Sequence, residues 1–357
     1  MSHQVEKPAA LIIPHSKPCL GDEDLRAVAS VLETGMIAEG ALVREFEEAM
    51  SRYLGLRGGV AAPSGTSALF LALKALGVGA GDEVIIPTYT CRSVWDAVRA
   101  TEASAVLCDI TDDWCMSAET IRPHVSKQTK AIVLVHTFGI MAEVDEVCAL
   151  GIPVIEDCCQ SLGAKSGECI AGTKGDLCVL SFHATKLLTT GEGGMALAND
   201  EKLLRKLRAL KQGEDGPLML RYRQPLTDLQ AALGLSQLGN YDNFLQRRHV
   251  IAEQYFIELE GLPVELPQAV KGRSIFFRFP LGVSGEFDAF RRRFDTEGIQ
   301  VRRGVDSLLH RQCGLSDATF PNATRSFSRT LSIPLYPALS PVDCSRVVEV
   351  CRSVFEN

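Results

Sequence analysis

The chain has 357 residues, with no run of roughly 18 uninterrupted apolar residues, no CxxC pair, no long basic stretch and no internal repeat or low-complexity tract. Each absence excludes a class. Without the apolar run no membrane-spanning helix is expected. The opening MSHQVEKPAALIIPHSKP lacks the apolar core of a signal peptide, so the expected location is the cytoplasm. Without a repeat the chain is not a solenoid. The 12 cysteines are scattered, and none lies near a histidine at zinc-finger spacing. They read as reduced thiols used as small apolar packing residues, and no metal site is expected. Thirty-seven Lys and Arg stand against 44 Asp and Glu, a net charge of -7 that leaves no footprint for a nucleic-acid backbone.

What is present is an α/β pattern. From about residue 60 to 215, strand-length apolar runs alternate with amphipathic stretches, which predicts a mostly parallel sheet between helices. The runs are VIIP (84–87), AVLCD (105–109), AIVLVH (131–136), PVIED (153–157), LCVLSF (177–182) and GMALA (194–198). Helical periodicity marks Asp22 to Glu33, Leu42 to Leu54, and Gly65 to Leu76, where Leu69, Leu73 and Leu76 share a face. From Pro225 onward the character changes. A long helical stretch, a strand-like SIFFRFPLGV (274–283) and a charged helix FDAFRRRFDTEG suggest a second, smaller α+β domain. The division expected is a large domain over 1–235 and a small one over 236–357.

Three stretches carry chemistry. Pro63-Ser64-Gly65-Thr66-Ser67-Ala68 is a small-residue turn opening into a strong helix, whose free N–H groups and hydroxyls form an anion site. Val154-Ile155-Glu156-Asp157 is a strand delivering two carboxylates, followed by Gln160. Alternation turns them to opposite sides, and Asp157 is taken as the acid facing a cationic ring nitrogen, with Glu156 left to structure or solvent. Residues 180–198, LSFHATKLLTTGEGGMALA, run from a strand into Ser181, His183 and Lys186 and then a Gly-rich turn, so that Lys186 is the candidate amine for a Schiff base and His183 a candidate acid or base. A phosphate cradle, an acid for a pyridine nitrogen and an amine for an aldehyde are the three handles of pyridoxal 5'-phosphate.

With these residues in place the chain resembles the sugar aminotransferases of the DegT/StrS type, within the fold-type I pyridoxal phosphate enzymes, from about Leu20 to Val350. The likeness is carried by TGMIAEGALVREFEEAMSRYLG, SGTSALFLALKALGVGAGDEVIIPTYT, TKAIVLVHTFG, VIEDCCQSLGA, GDLCVLSFHATKLLTTGEGGMAL, DLQAALGLSQL and LSIPLYPALS. The resemblance implies that Lys186 forms the Schiff base and that Asp157 pairs with the pyridine nitrogen. It implies further that Gln160 contacts the ring hydroxyl side and that Gly65, Thr66 and Ser181 hold the phosphate. It also implies transfer of an amino group from a donor, by family habit glutamate, to a keto-sugar on a nucleotide carrier. The family's homodimer shares its active sites, because the loop before DLQAALG reaches the neighbour's cofactor. A cyclitol or other keto-compound is the alternative acceptor. The pyridoxamine-dependent sugar dehydratases are a related branch that carries His where this chain has Lys186, and a catalytically silent cofactor-binding homologue is the third reading.

Two departures stand out. Relatives place an aromatic ring after the PxxT turn to stack on the cofactor, whereas this chain has Cys91, with Tyr89 and Trp95 nearby as substitutes. Before DLQ this chain reads Arg221-Tyr222-Arg223-Gln224-Pro225, putting Arg223 where relatives have an Asn that reaches the partner's phosphate. Arg291 to Arg293, Arg302, Arg303 and His310 lie where the family contacts the sugar or its carrier.

Overall fold

The computed structural model describes residues 12–212, 222 and 224–356. Two helices, α1 (Asp22–Thr34) and α2 (Ala41–Leu54), precede strand β1 (Gly58–Ala62) and helix α3 (Gly65–Ala75). Then follow β2 (Glu83–Pro87), α4 (Arg92–Ala100), β3 (Ser104–Cys108), the short α5 (Ala118–Ile121), β4 (Thr129–Val135), α6 (Val144–Cys148) and β5 (Val154–Asp157). A two-strand hairpin, β6 (Lys165–Ser166) and β7 (Cys169–Ile170), leads to β8 (Leu177–Ser181), β9 (Gly194–Ala198) and α7 (Glu201–Gln212).

These strands, the hairpin aside, form one seven-stranded sheet in the order β1-β9-β8-β5-β4-β2-β3. From β3 across to β8 all pairings are parallel, and β9 alone runs antiparallel to both of its neighbours. Two reversals restore the direction, so β1 points the same way as β8. The sheet is therefore mostly parallel, and the chain leaves β1, β4, β5 and β8 on one edge, where open α/β sheets bind ligands. The strands are almost wholly buried because helices cover both faces, which is why they read as continuous apolar runs.

The sequence runs match six of the seven strands, and β1 is the one missed. Its GGVAA has a single branched side chain, so nothing in it announces a strand. Gly59 allows a close approach there, since a Cβ would lie 3.0 Å from both Leu197 and Met195 of the neighbouring β9, which would have to shift. Helix α3 buries Leu69, Phe70, Leu71, Ala72 and Leu73 alike, not one stripe, because it lies between the sheet and the outer helices.

The C-terminal part begins with α8 (Asp228–Gly239) and α9 (Tyr241–Glu258). One long helix is expected here, but Asn240, at φ -101 and ψ 2, breaks it in two. Strand β10 (Phe279–Gly282) is shorter than the expected 274–283, and pairs antiparallel with β11 (Thr330–Ile333). Between them lie α10 (Phe287–Thr296), α11 (Leu309–Gln312) and α12 (Pro321–Arg329), and α13 (Pro341–Phe355) follows.

Residues 274–278 are instead a strap between the two parts. The Ile275 N–H bonds the Gly139 carbonyl, and Phe276 takes a left-handed φ of 51°. Arg248 of α9, almost wholly buried, donates Nε to the Phe276 carbonyl at 2.9 Å and Nη2 to that of Phe277 at 2.6 Å. Apolar side chains gather in two clusters: one around the sheet, the other around α9, β10, β11 and α13 and including Ile13 from the start of the chain. Helix α9 joins them, with Tyr241 in the first and Ile251, Tyr255 and Phe256 in the second.

Candidate active site

The strand ends and the start of α3 enclose a cavity of about 350 Å³ lined by Gly65, Thr66, Asp157, Gln160, Ser181, His183 and Lys186, with Cys91, Cys159 and Glu192 completing its wall. All seven positions lie at the C-terminal ends of β1, β5 and β8 or just after them, which explains how residues far apart in sequence meet.

One end is an anion cradle. Ser64 caps α3, its Oγ accepting the Ser67 N–H at 3.1 Å, while the Ala68 N–H bonds the Ser64 carbonyl. The N–H groups of Gly65 and Thr66 have no intrahelical acceptor, as in any first helical turn, and they open on the cavity with the Ser181 hydroxyl. Gly65 has to be glycine: a Cβ would lie 2.7 Å from Ser181 Cβ and 3.2 Å from Cys159 Sγ.

The floor is Asp157. Its carboxylate is nearly buried, and Oδ1 accepts the Cys159 N–H at 3.0 Å. Beside it burial, and then the Asp157 charge, push the Cys159 thiol well above its ordinary value and keep it protonated. Gln160 uses its Oε1 to accept the Phe138 N–H at 3.0 Å, which turns the amide N–H2 to donate elsewhere.

Glu156, on the opposite side of β5, is structural. It is fully buried, with Oε2 accepting from His136 Nε2 at 2.9 Å and Gly172 N–H at 2.8 Å, and Oε1 from the N–H groups of Lys174 at 2.8 Å and Gly175 at 2.7 Å. Burial alone would raise this carboxyl, but the His136 ring and those N–H groups outweigh it and hold it below the usual carboxylate value. His136 Nδ1 accepts the Ala142 N–H at 3.1 Å, so its proton sits on Nε2. His136, Glu156 and Cys158 offer metal-type atoms within 4.8 Å of one another, the one such group found among the described residues. Both histidine nitrogens and both carboxylate oxygens already hold hydrogen bonds, so the cluster works as a pillar under β5. All 12 cysteines are free thiols.

Lys186 enters from the turn after β8, its N–H bonded to the His183 carbonyl at 2.8 Å and its Nζ 5.4 Å from the Phe277 ring centre. Phe277 is thus a site residue that the sequence did not mark, delivered by the strap. His183 is exposed, with Nδ1 2.8 Å from the Thr185 hydroxyl and Nε2 3.5 Å from Glu192. Glu192 is tied in turn to the DLQ segment, since Gln230 Nε2 donates to its carbonyl at 2.6 Å. Asp228 of the same segment caps α2, accepting the N–H groups of Gly40 and Val43.

Other expected positions fall elsewhere. Neither Tyr89 nor Trp95 lines the cavity: Tyr89 is buried against Phe138, and Trp95 lies between the guanidinium groups of Arg92 and Arg99. Cys91 itself occupies the wall. Arg223 lies outside the described residues. Arg291, Arg292 and Arg293 are exposed on α10, Arg303 stacks on Phe287 and Phe327, and His310 is buried between Thr88, Asp317 and Phe320.

Residues 18–352 match the model of the DegT/DnrJ/EryC1/StrS aminotransferase family. The chain belongs to this family. It is 32% identical to the spore coat polysaccharide biosynthesis protein SpsC of Bacillus subtilis strain 168, over 97% of each chain. Among solved structures it is similar to the aminotransferase TlmJ from Streptoalloteichus hindustanus, at a TM-score of 0.91 and 28% identity, covering 97% of this chain and 99% of that one. It is also similar to the putative sugar aminotransferase Spr1654 from Streptococcus pneumoniae in its pyridoxal phosphate form, at a TM-score of 0.90 and 25% identity over 97% and 99% of the two chains. The same Spr1654 protein is solved in a pyridoxamine phosphate form. The chain is accordingly a pyridoxal phosphate-dependent aminotransferase of fold-type I. The donor set of the cavity suits that cofactor: an anion cradle at one end, a carboxylate on the floor and an amine at the mouth. No helix among the described residues is long and apolar enough to cross a membrane.

Proposed function

We propose that this aminotransferase moves an amino group from glutamate to a keto-sugar carried on a nucleoside diphosphate, working as a homodimer in the cytoplasm. The observation carrying this reading is the meeting of Lys186, Asp157 and the first turn of α3 in one cavity. When bound, pyridoxal phosphate supplies an electron sink for breaking a C–H bond beside nitrogen. Gly65, Thr66 and Ser181 hold its phosphate. Asp157 keeps the ring nitrogen protonated, and Gln160 donates to the ring hydroxyl side. Lys186 Nζ is the amine that would hold the cofactor's aldehyde end, and as a free amine it would accept and return a proton at the mouth of the cavity. His183, steadied by Thr185 and Glu192, is the second acid-base candidate at the mouth.

The sugar acceptor is supported by the relatives' descriptions as a polysaccharide biosynthesis protein and a putative sugar aminotransferase. Lys186 separates the reading from dehydratases that carry His at that place. A homodimer is supported by α1, whose outward Leu25 and Leu32 are 70% and 58% exposed on one helical face, with Met36 just past its end 74% exposed. Free thiols throughout fit a reducing cytoplasm. The test is spectroscopic. Glutamate is expected to bleach the yellow protein, and a keto-sugar from a nucleotide-linked panel to restore it. A protein that glutamate leaves yellow overturns the donor, and one that no keto-sugar restores overturns the acceptor.

A further inference from the structure

Beyond Lys186 lies a second, smaller cavity of about 210 Å³. It shares Cys91, Gln160, Thr185 and Lys186 with the first but touches none of the cradle residues Gly65, Thr66 and Ser181. Its wall is cationic. Arg248 from α9, Arg278 from the strap, Arg302 from the segment after α10 and Lys17 from the start of the chain all contribute, with Asp306 as the one carboxylate among the lining residues. Burial, and then the fields of Arg278, Arg302 and Arg248, push the pKa of His15 in the same wall well below its ordinary value, so a further cation is disfavoured there.

Lys186 faces this wall with a cation of its own. Among the described residues its Nζ has no hydrogen-bond or ion-pair partner, and what it meets is the Phe277 ring, whose centre is 5.4 Å away. An aromatic face is electrically negative and attracts an ammonium without bringing a charge or a proton acceptor. Phe277 lines the second cavity and not the first, so the ring receives the amine on the side away from the cradle. The strap fixes the ring from two directions. Toward the sheet, the N–H groups of Ile275 and Arg278 bond the carbonyls of Gly139 and Phe138 at 3.0 and 3.4 Å. Glycine at 139 permits that approach, since at its φ of 84° a Cβ would lie 2.9 Å from the Phe277 nitrogen. Toward α9, buried Arg248 binds the Phe276 and Phe277 carbonyls and sets its Cζ 6.0 Å from the same ring centre.

We propose that the Phe277 ring is the resting surface for the Lys186 ammonium whenever the lysine is not attached to the cofactor, with Arg248 as the residue that positions the ring. The inference rests on the reading of Lys186 as the amine that holds the cofactor's aldehyde end. On release, the bond to the aldehyde carbon passes from Nζ to the donor nitrogen, and the proton given up by the donor ammonium ends on Nζ. Attachment draws Nζ into the first cavity, which Phe277 does not line, so the ring favours the released lysine over the attached one. It thereby helps the donor to displace the lysine and weakens the hold on pyridoxal phosphate.

Two forms of the cofactor test this. Pyridoxal phosphate has an aldehyde for Lys186 to hold, and pyridoxamine phosphate has none. The dissociation constant of each is measured by dialysis of the loaded full-length enzyme. Phe277→Leu is expected to bind pyridoxal phosphate roughly three- to tenfold more tightly, to bind pyridoxamine phosphate as wild type does, and to need correspondingly more glutamate for half-maximal bleaching. Phe277→Tyr keeps the ring and is expected to match wild type. A trifluorinated phenylalanine in place of Phe277 keeps the shape and weakens the negative face, so it moves the ratio of the two constants as leucine does even if Phe277→Leu fails to fold. General damage to the site loosens both forms, which makes selective tightening a signature that a merely structural ring does not give. An unchanged ratio in the fluorinated protein, or looser binding of pyridoxal phosphate, overturns the proposal. Borohydride reduction and peptide mass separate the two levels. A Lys186 peptide without added mass overturns the reading beneath the proposal, whereas a labelled Lys186 with an unchanged ratio overturns the role of the ring alone.

Discussion

The two cavities that meet at Lys186 are built in opposite ways. The larger is assembled by strand ends: Gly65, Asp157 and Ser181 each stand within a few residues of a strand of one sheet, and neighbouring strands bring them together. The smaller is assembled by packing, from the start of the chain, the middle of α9, the strap and the segment between α10 and α11. Chemistry common to every substrate sits on the rigid sheet edge. The smaller cavity sits where two apolar clusters face each other, a place that side-chain replacement alters without disturbing the sheet.

The comparison breaks if substitutions on the two sides have the same consequences. The largest effect is expected at Lys186. A Lys186→Ala protein should fold and retain cofactor without a covalent bond, and lose turnover by roughly 10⁴-fold or more with every donor and acceptor. Borohydride treatment, digestion and peptide mass check the attachment. Activity near wild type would sink the assignment of the edge. Next comes Gly65→Ala, where the added methyl collides with Ser181. A cost of about 1–3 kcal/mol is expected, seen as weaker cofactor retention on dialysis, with the donor preference among bound enzymes unchanged.

Glu156→Gln sharpens the comparison from beneath the sheet. The amide N–H2 would face N–H donors now bonded to carboxylate oxygen, costing about 1–3 kcal/mol in thermal or urea unfolding. The pH dependence has a definite sign. Because the folded-state pKa of Glu156 lies below its unfolded value, its contribution is complete above the unfolded pKa and lost as pH falls through the folded one. Wild type should therefore show a steeper acid limb than Glu156→Gln, and equal slopes would refute that role. The smallest effect is expected on α10. Replacing Arg291 and Arg293 by Gln should leave acceptor KM within about twofold, since both are exposed surface charges outside the two cavities. A large rise would restore them as carrier contacts.

The sheet was legible because strands buried on both faces show as unbroken apolar runs, and the candidate residues were legible because they sit at the ends of those runs. β1 was not, since glycine and alanine carry too little side chain to mark a strand that exists for close packing. The strap departs from its sequence pattern for the reverse reason. SIFFRFPL has the composition of a strand, yet tertiary bonds from Arg248 and Gly139 hold its first half off the sheet and turn Phe277 toward Lys186. Tyr89 and Trp95 flank Cys91 in sequence, but the turn after β2 buries one against Phe138 and α4 sets the other between Arg92 and Arg99.

Order along the chain, then, determined the cofactor chemistry, because a phosphate cradle, an acid and an amine that each follow a strand running in the same direction of one sheet arrive at the same edge. Tertiary structure alone decided what surrounds that edge. An arginine at 248, another at 278 and a third at 302 have no common period or motif, and only the packing of the smaller part against the larger makes them one electrostatic surface.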